Sequence, residues 1–261
     1  MRADRIAELL EPFLLPIYTP YHSEPGRRPG EEPAVLSATQ LRYISTYIDI
    51  LLHWNARINL TAIRNPEEII TRHFGESIFA ARHLFPRDWE GQDFSPEPAI
   101  SQSSALDGAN SAPRKNSALA PEGSAEARVA DLGSGAGFPG IPVKIWAPNI
   151  ALTLIESNHK KATFLREAAR EIGLEVNVQN VRAESLPAAS FDKVTIRAVE
   201  RLFDILSTAT RLLVPSGTFA LLIGSAQVAA VQSALSDVRW LDPIPVPVSD
   251  TRTLLIASKE P

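Results

Sequence analysis

The stretch Val-Ala-Asp-Leu-Gly-Ser-Gly-Ala-Gly-Phe-Pro-Gly, residues 129–140, decides how the chain is organised. Its apolar start is typical of a short buried strand, which we expect to end near Asp131, and a turn rich in glycine follows. Glycine is needed where the backbone takes a positive φ or lets a ligand approach closely. Pro139 fits the first turn of a following helix. A glycine turn at the carboxyl end of a strand predicts a ligand crevice in an open α/β sheet.

Strand and helix segments alternate from this stretch onward. The clearest predicted helix covers residues 160–172, with its apolar residues on one face and Gly173 as its stop. Repeated strand–helix units indicate a parallel sheet with helices on both faces. The predicted strands cover residues 128–132, 151–155, 175–179, 191–196, 217–223 and 252–257.

Residues 1–86 are predicted to be helical and to form an N-terminal cap in front of a core over residues 128–261. Ser37 is a suitable N-cap for one helix, because the apolar residues after it recur at intervals of three and four. Asn65 followed by Pro66 predicts another helix start. More than half of residues 87–127 are Ala, Ser, Pro or Gly, a composition that cannot bury enough surface to offset chain entropy. We therefore expect a mobile insertion between cap and core.

Composition excludes several classes of chemistry. The chain of 261 residues has no cysteine, which rules out disulfides, thiolate zinc sites and a cysteine nucleophile. Its net charge of −4 argues against nonspecific, charge-driven binding to nucleic acid but leaves room for a local basic face. The first residues are amphipathic and interrupted by charge, so we expect no signal peptide, and no apolar run is long enough to cross a bilayer. A cytoplasmic protein without a metal site is expected.

The glycine turn admits two nucleotide-derived ligands. A dinucleotide is one of them, because the G-x-G-x-x-G pattern is satisfied by Gly135, Gly137 and Gly140. The register does not match that of a dinucleotide site, in which the first glycine of the pattern comes directly after the strand. Here that glycine is Gly133, and Phe138, not glycine, stands three positions beyond Gly135. Asp131 would also repel a pyrophosphate, whereas the cationic S-adenosylmethionine has no phosphates. The methyl donor is therefore favoured over a dinucleotide.

Acidic residues follow the next two predicted strands. Glu156 lies 21 residues after Gly135 and can accept hydrogen bonds from both ribose hydroxyls of a donor, or it can be an acid at a helix start. Ala183 and Glu184 follow the third strand, where adenine would lie in this layout. Glu184 can equally be a solvated loop residue.

Beyond these patterns, the chain resembles the bacterial 16S ribosomal RNA guanine-N7 methyltransferases, also called the glucose-inhibited division protein B family. The matching motifs run in the family's order over most of residues 40–224. They are WNARINLT (54–61), RH (72–73) with ES (76–77), DLGSGAGFPGIP (131–142), ES (156–157) through FL (164–165), RAE (182–184) and IRA (196–198).

The resemblance implies a class I, Rossmann-like methyltransferase core that uses S-adenosylmethionine. It carries donor-binding roles onto Gly133, Phe138, Ala183, Glu184 and Arg197, which join Asp131, Gly135 and Glu156 from the turn and the general layout. It also implies that the polar motif residues of the cap build the cleft rim or support the donor pocket, namely Asn59, Thr61, Arg72 and His73. No residue is predicted to act chemically, although Arg72 and His73 are candidates at the cleft.

One departure from the family concerns a lysine. The family usually has lysine before the glycine of the fifth strand, whereas this chain has Ile223 before Gly224. If the lysine touches RNA, another cation must serve here. The candidates are Lys160, Lys161 and Arg252.

The chemistry expected for such a family fits the composition. Guanine N7 has a lone pair and no proton, so it can attack an activated methyl group without a general base, and alignment is the main task of the protein. The expected partner is 16S ribosomal RNA or a small-subunit particle, and a monomer is favoured. Two alternatives stay open: a methyltransferase acting on a protein or small molecule, and a nicotinamide-dependent oxidoreductase.

Overall fold

The structure, a computed structural model, describes residues 1–16, 33–86, 126–197 and 202–261. The predicted insertion, residues 87–127, lies outside the described residues except for its last two. Residues on both sides of it, 1–87 and 126–261, belong to one compact unit. No helix in the described part of the chain combines the length and apolar character that crossing a membrane requires.

The N-terminal part is helical, as predicted. Ser37 caps its helix through a reciprocal pair of hydrogen bonds, because its hydroxyl accepts from the Gln40 amide and the Gln40 side chain accepts from the Ser37 amide. Asn65 caps the next helix, also as predicted, and Pro66 occupies the first turn. The elements are α1 (Ala3–Leu14), α2 (Ala38–Asn55), α3 (Pro66–Glu68), a π-helical segment (Ile69–Gly75) and α4 (Glu76–Leu84).

The rest of the chain forms one sheet with helices between its strands. The strands are β1 (Arg128–Leu132), β2 (Ala151–Ile155), β3 (Asn177–Gln179), β4 (Phe191–Arg197), β5 (Leu213–Gly224), β6 (Val238–Trp240), β7 (Ile244–Pro245) and β8 (Arg252–Lys259). Helices α5 (Gly140–Trp146), α6 (His159–Ile172), α7 (Leu202–Leu212) and α8 (Val228–Ala234) connect them. The strand order is β3-β2-β1-β4-β5-β8-β6, with β7 also on β8. The first five strands are parallel and β8 is antiparallel to β5, which confirms the Rossmann-like α/β prediction.

Side chains alternate along β5 between two apolar layers. Phe219 and Leu221 face a core that contains α7 residues, while Ala220 and Leu222 face a core shared with the N-terminal helices, α5 and α6. The cap therefore packs on one face of the sheet. Its buried surface is continuous with that of the core.

The observed strands differ from the predicted ones at the margins of the sheet. β1 and β2 match their predicted bounds, whereas β3 is shorter, since it pairs only with β2 and for three residues. β5 starts at Leu213, four residues earlier than predicted. The short strands β6 and β7 were not predicted, because two or three residues carry no periodic signal.

Tyr47 of α2 joins the cap to the glycine turn. It is completely buried, and its hydroxyl donates to the carbonyl oxygen of Ala136 over 2.8 Å. Its ring also makes edge contacts with Phe74, Phe138 and Phe164, at centroid distances of 5.9–6.0 Å. The cap thus holds the outer side of the turn through one hydrogen bond and an aromatic cluster.

Tyr47→Phe should lower the free energy of unfolding by about 1–3 kcal/mol, because the buried carbonyl of Ala136 loses its partner. Tyr43→Phe in the same helix is the matched control, since no hydrogen bond joins the Tyr43 hydroxyl to the described residues. Urea denaturation of both variants measures the difference. Equal losses in the two would contradict a role for the hydrogen bond.

Candidate active site

The glycine turn between β1 and α5 is held in a conformation that side chains disfavour. Gly133, Gly135 and Gly137 have φ angles of 68°, 55° and 82°. The amides of Gly133 and Ser134 both donate to the carbonyl oxygen of Ile155, which ties the turn to the end of β2. The glycines are therefore required by the backbone.

Among Gly135, Gly137 and Gly140, only Gly135 faces free space. A Cβ atom at Gly137 would lie 2.3 Å from the Tyr47 hydroxyl, and one at Gly140 would lie 2.5 Å from Leu154. At Gly135 the nearest heavy atom would be the Gly133 carbonyl oxygen at 3.7 Å. Gly137 and Gly140 are thus needed for packing, whereas Gly135 leaves its backbone open to a ligand.

Asp131 supports the turn from inside the protein. It is completely buried, and its carboxylate accepts from the Gly140 amide at 3.2 Å and from the Thr195 hydroxyl at 2.9 Å. Burial raises the pKa of Asp131 to about 6, against the lowering effect of these hydrogen bonds. The carboxylate is closed off from the crevice, so its contacts in the structure stabilise the turn.

Glu156 lies at the end of β2, beside the turn, as the sequence predicts. One carboxylate oxygen accepts from the Gly135 amide at 2.9 Å and the other from the Asn158 amide at 2.7 Å. The residue is buried. Its carboxylate therefore bridges the glycine turn and the N-cap of α6.

Ala183 and Glu184 form a short 3-10 turn after β3, with Ala183 buried and Glu184 exposed. The Arg211 guanidinium donates to the carbonyl oxygens of both residues, at 3.4 Å and 3.1 Å. This places the pair past the end of β3 and fixes its backbone from the side of α7.

Arg197, at the end of β4, is buried and bonded to the cap. Its guanidinium donates to His73 Nδ1 at 2.8 Å, to the Arg72 carbonyl oxygen at 2.5 Å and to Glu76 Oε2 at 2.9 Å. Its Nε–H is buried without a partner among the described residues. Burial lowers the pKa of Arg197 and the Glu76 charge opposes that shift. Its ion pair is thus internal, and its observed partners belong to the cap.

The contacts of His73 determine its tautomer. A guanidinium only donates, so Nδ1 must accept from Arg197, and Nε2 carries the proton that it donates to the Thr61 hydroxyl over 2.8 Å. Burial, followed by the charge of Arg197, lowers the pKa of His73 to about 3. The ring stacks on Phe138 with centroids 4.7 Å apart. At neutral pH His73 is an uncharged link between cap, turn and β4.

Two residues of the site carry no role predicted from the sequence. Glu76 belongs to a matched motif, yet only the fold brings it to Arg197, 121 residues away. Tyr47 fits an ordinary apolar stripe in α2, and its contact with Ala136 spans 89 residues. Helical spacing after Arg72 and His73 is a weak signal for Glu76, and we find none for Tyr47.

The cations considered in place of the family lysine lie in different places. Ile223 is buried in the sheet. Arg252 pairs across β5 and β8 with Gly224, and its Nε lies 3.9 Å from Glu76 Oε2. Lys160 and Lys161 begin α6, beyond the end of β2. Arg252 is therefore the candidate beside the end of β5.

Comparison with known families gives a match to the rRNA small subunit methyltransferase G family over residues 40–89 and 116–242. The unmatched residues 90–115 lie inside the predicted insertion. Curated relatives named "Ribosomal RNA small subunit methyltransferase G" include one from Xylella fastidiosa strain 9a5c, 35% identical over 69% of this chain and 66% of the relative. One from Halorhodospira halophila is 31% identical over 86% of this chain and 90% of the relative. These matches confirm the resemblance seen in the motifs.

Solved structures to which the chain is similar include an S-adenosylmethionine-dependent methyltransferase from Aquifex aeolicus. The TM-score is 0.44 at 16% identity, covering 51% of this chain and 82% of that one. A predicted O-methyltransferase from Agrobacterium tumefaciens gives a TM-score of 0.43 at 25% identity, covering 51% and 74%. Because these scores are low, the fold assignment rests on strand order and direction.

Gly135→Val should abolish binding of S-adenosylmethionine and S-adenosylhomocysteine, because the side chain would fill the open space at the turn. Gly173→Val is the matched control, since Gly173 also has a positive φ, 75°, but caps α6 with no atom near its Cβ position. Calorimetric titration of both variants and of the parent chain checks this. Binding of NAD in place of both sulfur ligands would contradict the predicted donor.

His73→Gln should make the free energy of unfolding less sensitive to a fall in pH below about 7. The pKa of His73 in the folded protein lies below its value in the unfolded chain. Its contribution to the free energy of unfolding is therefore complete above about pH 6.5 and is lost as the pH falls toward 3. Between pH 7 and pH 5 the stability advantage of the parent over His73→Gln should shrink by about 1–2 kcal/mol. Asp131 titrates in both proteins and cancels in the comparison. Urea unfolding at several pH values measures the gap, and a constant gap would be incompatible with a neutral buried His73.

Proposed function

The chain belongs to the rRNA small subunit methyltransferase G family, and we propose that it transfers a methyl group from S-adenosylmethionine to N7 of a guanine in 16S ribosomal RNA. The observation that carries this proposal is the family match, which covers residues 40–89 and 116–242 and so includes both the helical cap and the sheet. The chain spans 66% of the first Xylella relative and 90% of the Halorhodospira one.

The residues at the carboxyl ends of β1 and β2 suit the methyl donor. The backbone at Gly135 is open, and Glu156 stands beside it with a carboxylate that can exchange main-chain partners for ribose hydroxyls. When bound, S-adenosylmethionine supplies a methyl group activated by a positively charged sulfur. We assign donor contacts to Gly133, Gly135, Phe138, Glu156, Ala183, Glu184 and Arg197, with Asp131 supporting the turn from within.

The position of the donor site leaves the ends of β4 and β5 for the acceptor base. In an open α/β sheet, ligands bind outside the carboxyl ends of the strands, where the strand order reverses. Here the order reverses at β1, which lies between β2 and β4. The donor half then lies over β1 to β3, with Arg197 at its border on β4, and the guanine lies beyond it over the ends of β4 and β5.

Guanine N7 requires no base, and the residues around the turn provide none that is free. Both ring nitrogens of His73 are engaged, with Nδ1 accepting from Arg197 and Nε2 donating to Thr61. The carboxylate of Asp131 is buried with two donors. Among the described residues at this site, the side chains thus align and desolvate the reactants, and no proton has to move in the transfer step.

The family name specifies the small subunit, which supports a proposal for the form in which the RNA is recognised. We propose that the RNA is met as 16S ribosomal RNA or within a small-subunit particle, in the cytoplasm. The net charge of −4 fits recognition through a local basic face better than through the whole surface.

Transfer of labelled methyl to unmodified 16S transcript and to small subunits, followed by nucleoside analysis, tests the proposal. N7-methylguanosine should be the labelled product. Label in protein or in a small molecule, with none in RNA, would favour a different substrate.

The single-turnover rate at saturating RNA and donor should change little between about pH 6 and pH 8.5, because no side chain must lose a proton. A required base that titrates above this range would instead give a limb of unit slope, about 300-fold over the range. His73→Gln should retain the chemical step once RNA and donor are saturating. A steep limb in the parent chain would mean that the acceptor must lose a proton to a base, and would exclude N7.

A further inference from the structure

Two arginines, Arg197 and Arg252, lie beside the carboxylate of Glu76 where the cap meets the end of β4 and the start of β8, and Arg72 lies close by in the cap. Glu76 accepts from Arg197 at 2.9 Å and lies 3.9 Å from Arg252. Arg197 also donates to His73 Nδ1 at 2.8 Å and to the carbonyl oxygen of Arg72. The charges of Arg197, Arg72 and Arg252 each lower the pKa of His73. With Glu68 beside Arg72, the described side chains of this arginine cluster are three positive and two negative, which leaves one positive charge in excess.

Arg252 is the member of the cluster that Glu76 does not neutralise. Glu76 already makes its short ion pair with Arg197, and both side chains of that pair are buried. The 3.9 Å contact is the only polar contact that the Arg252 guanidinium makes with the described residues, and its side chain keeps 25% of its surface exposed. No carboxylate of the described residues lies closer to the Arg252 guanidinium than 3.9 Å, and a partly buried guanidinium of this kind can bind a further anion.

The register of the sheet places Arg252 on the acceptor half. Arg197 pairs with Leu222, Leu222 with Leu254, and Gly224 with Arg252. Arg252 therefore lies beside the last residue of β5, at the carboxyl edge of the parallel strands. Its strand, β8, is three places from β1 in the sheet order, or about 14 Å at normal strand spacing.

We propose that Arg252 binds a backbone phosphate of the RNA substrate next to the target guanine. This inference rests on the proposed function. The planar guanidinium fork matches a phosphate, and its distance from the glycine turn favours RNA over the carboxylate of the donor. Arg72 is more than half exposed and lies 4.0 Å from Glu68, so it is a second cation of the cap that RNA can reach.

The test measures binding of unmodified 16S transcript to the full chain at several salt concentrations, together with S-adenosylhomocysteine affinity and melting temperature. Arg252→Gln should weaken RNA binding about tenfold near 0.1 M salt and lower the slope of log K against log salt by about 0.7–0.9, the value for one phosphate contact. Donor affinity should stay unchanged. Arg252→Lys, which keeps the charge, should restore most of the slope.

The matched control is Arg239→Gln. Arg239 is exposed on β6 and pairs with Ser258, which is level with Thr218 of β5, six residues before the Gly224 that pairs with Arg252. Arg239→Gln removes the same charge far from the arginine cluster, so it should leave the slope of log K against log salt unchanged.

Three results would overturn the inference. Equal slopes for Arg252→Gln and Arg239→Gln would show that Arg252 meets no phosphate. A parallel loss of donor affinity would assign Arg252 to the donor or to support of Arg197. A lower melting temperature in Arg252→Gln with a parental slope would make its role structural. The proposed function fails separately, if the parent chain binds 16S transcript but labels no N7-methylguanosine in either RNA substrate.

Discussion

Arg197 brings a positive charge to the end of β4, where the cap covers it almost completely. A buried charge is costly unless it is paired and hydrogen-bonded, and the cap supplies the partners: Glu76, His73 and the carbonyl oxygen of Arg72. Removing one member of a buried ion pair typically costs about 3–5 kcal/mol, because the other charge is left uncompensated. The cap and the sheet are therefore bound to one relative position wherever this cluster is intact.

The same cluster reaches the glycine turn through a single ring. His73 accepts from Arg197 on one side, donates to Thr61 on the other, and stacks on Phe138 of the turn. A charged imidazole could not accept from a guanidinium, so the neutral state of His73 is a condition of the arrangement. The low pKa that burial imposes makes this state persist across the physiological range.

The turn itself is restrained from three further directions. Tyr47 holds the Ala136 carbonyl from the cap, Asp131 holds the Gly140 amide from below, and Glu156 holds the Gly135 amide from the end of β2. Only Glu156 makes its contact at the open glycine. Because these contacts already fix the turn, little conformational entropy is lost when a ligand binds. This suits an enzyme that works by alignment.

The sequence by itself determined the parts of this protein that depend on neighbours along the chain. The bounds of β1 and β2, the caps at Ser37 and Asn65 and the stop at Gly173 follow from local hydrogen bonding and from positive φ, which short motifs encode. The glycine turn and the order of motifs also identified the family. The tertiary structure alone decided the short edge strands, the buried pairing of Arg197 with Glu76, the tautomer of His73 and the place of Arg252 beside β5. These depend on contacts between residues far apart in the chain, where burial sets the energy of a charge and no local pattern records which partner it meets.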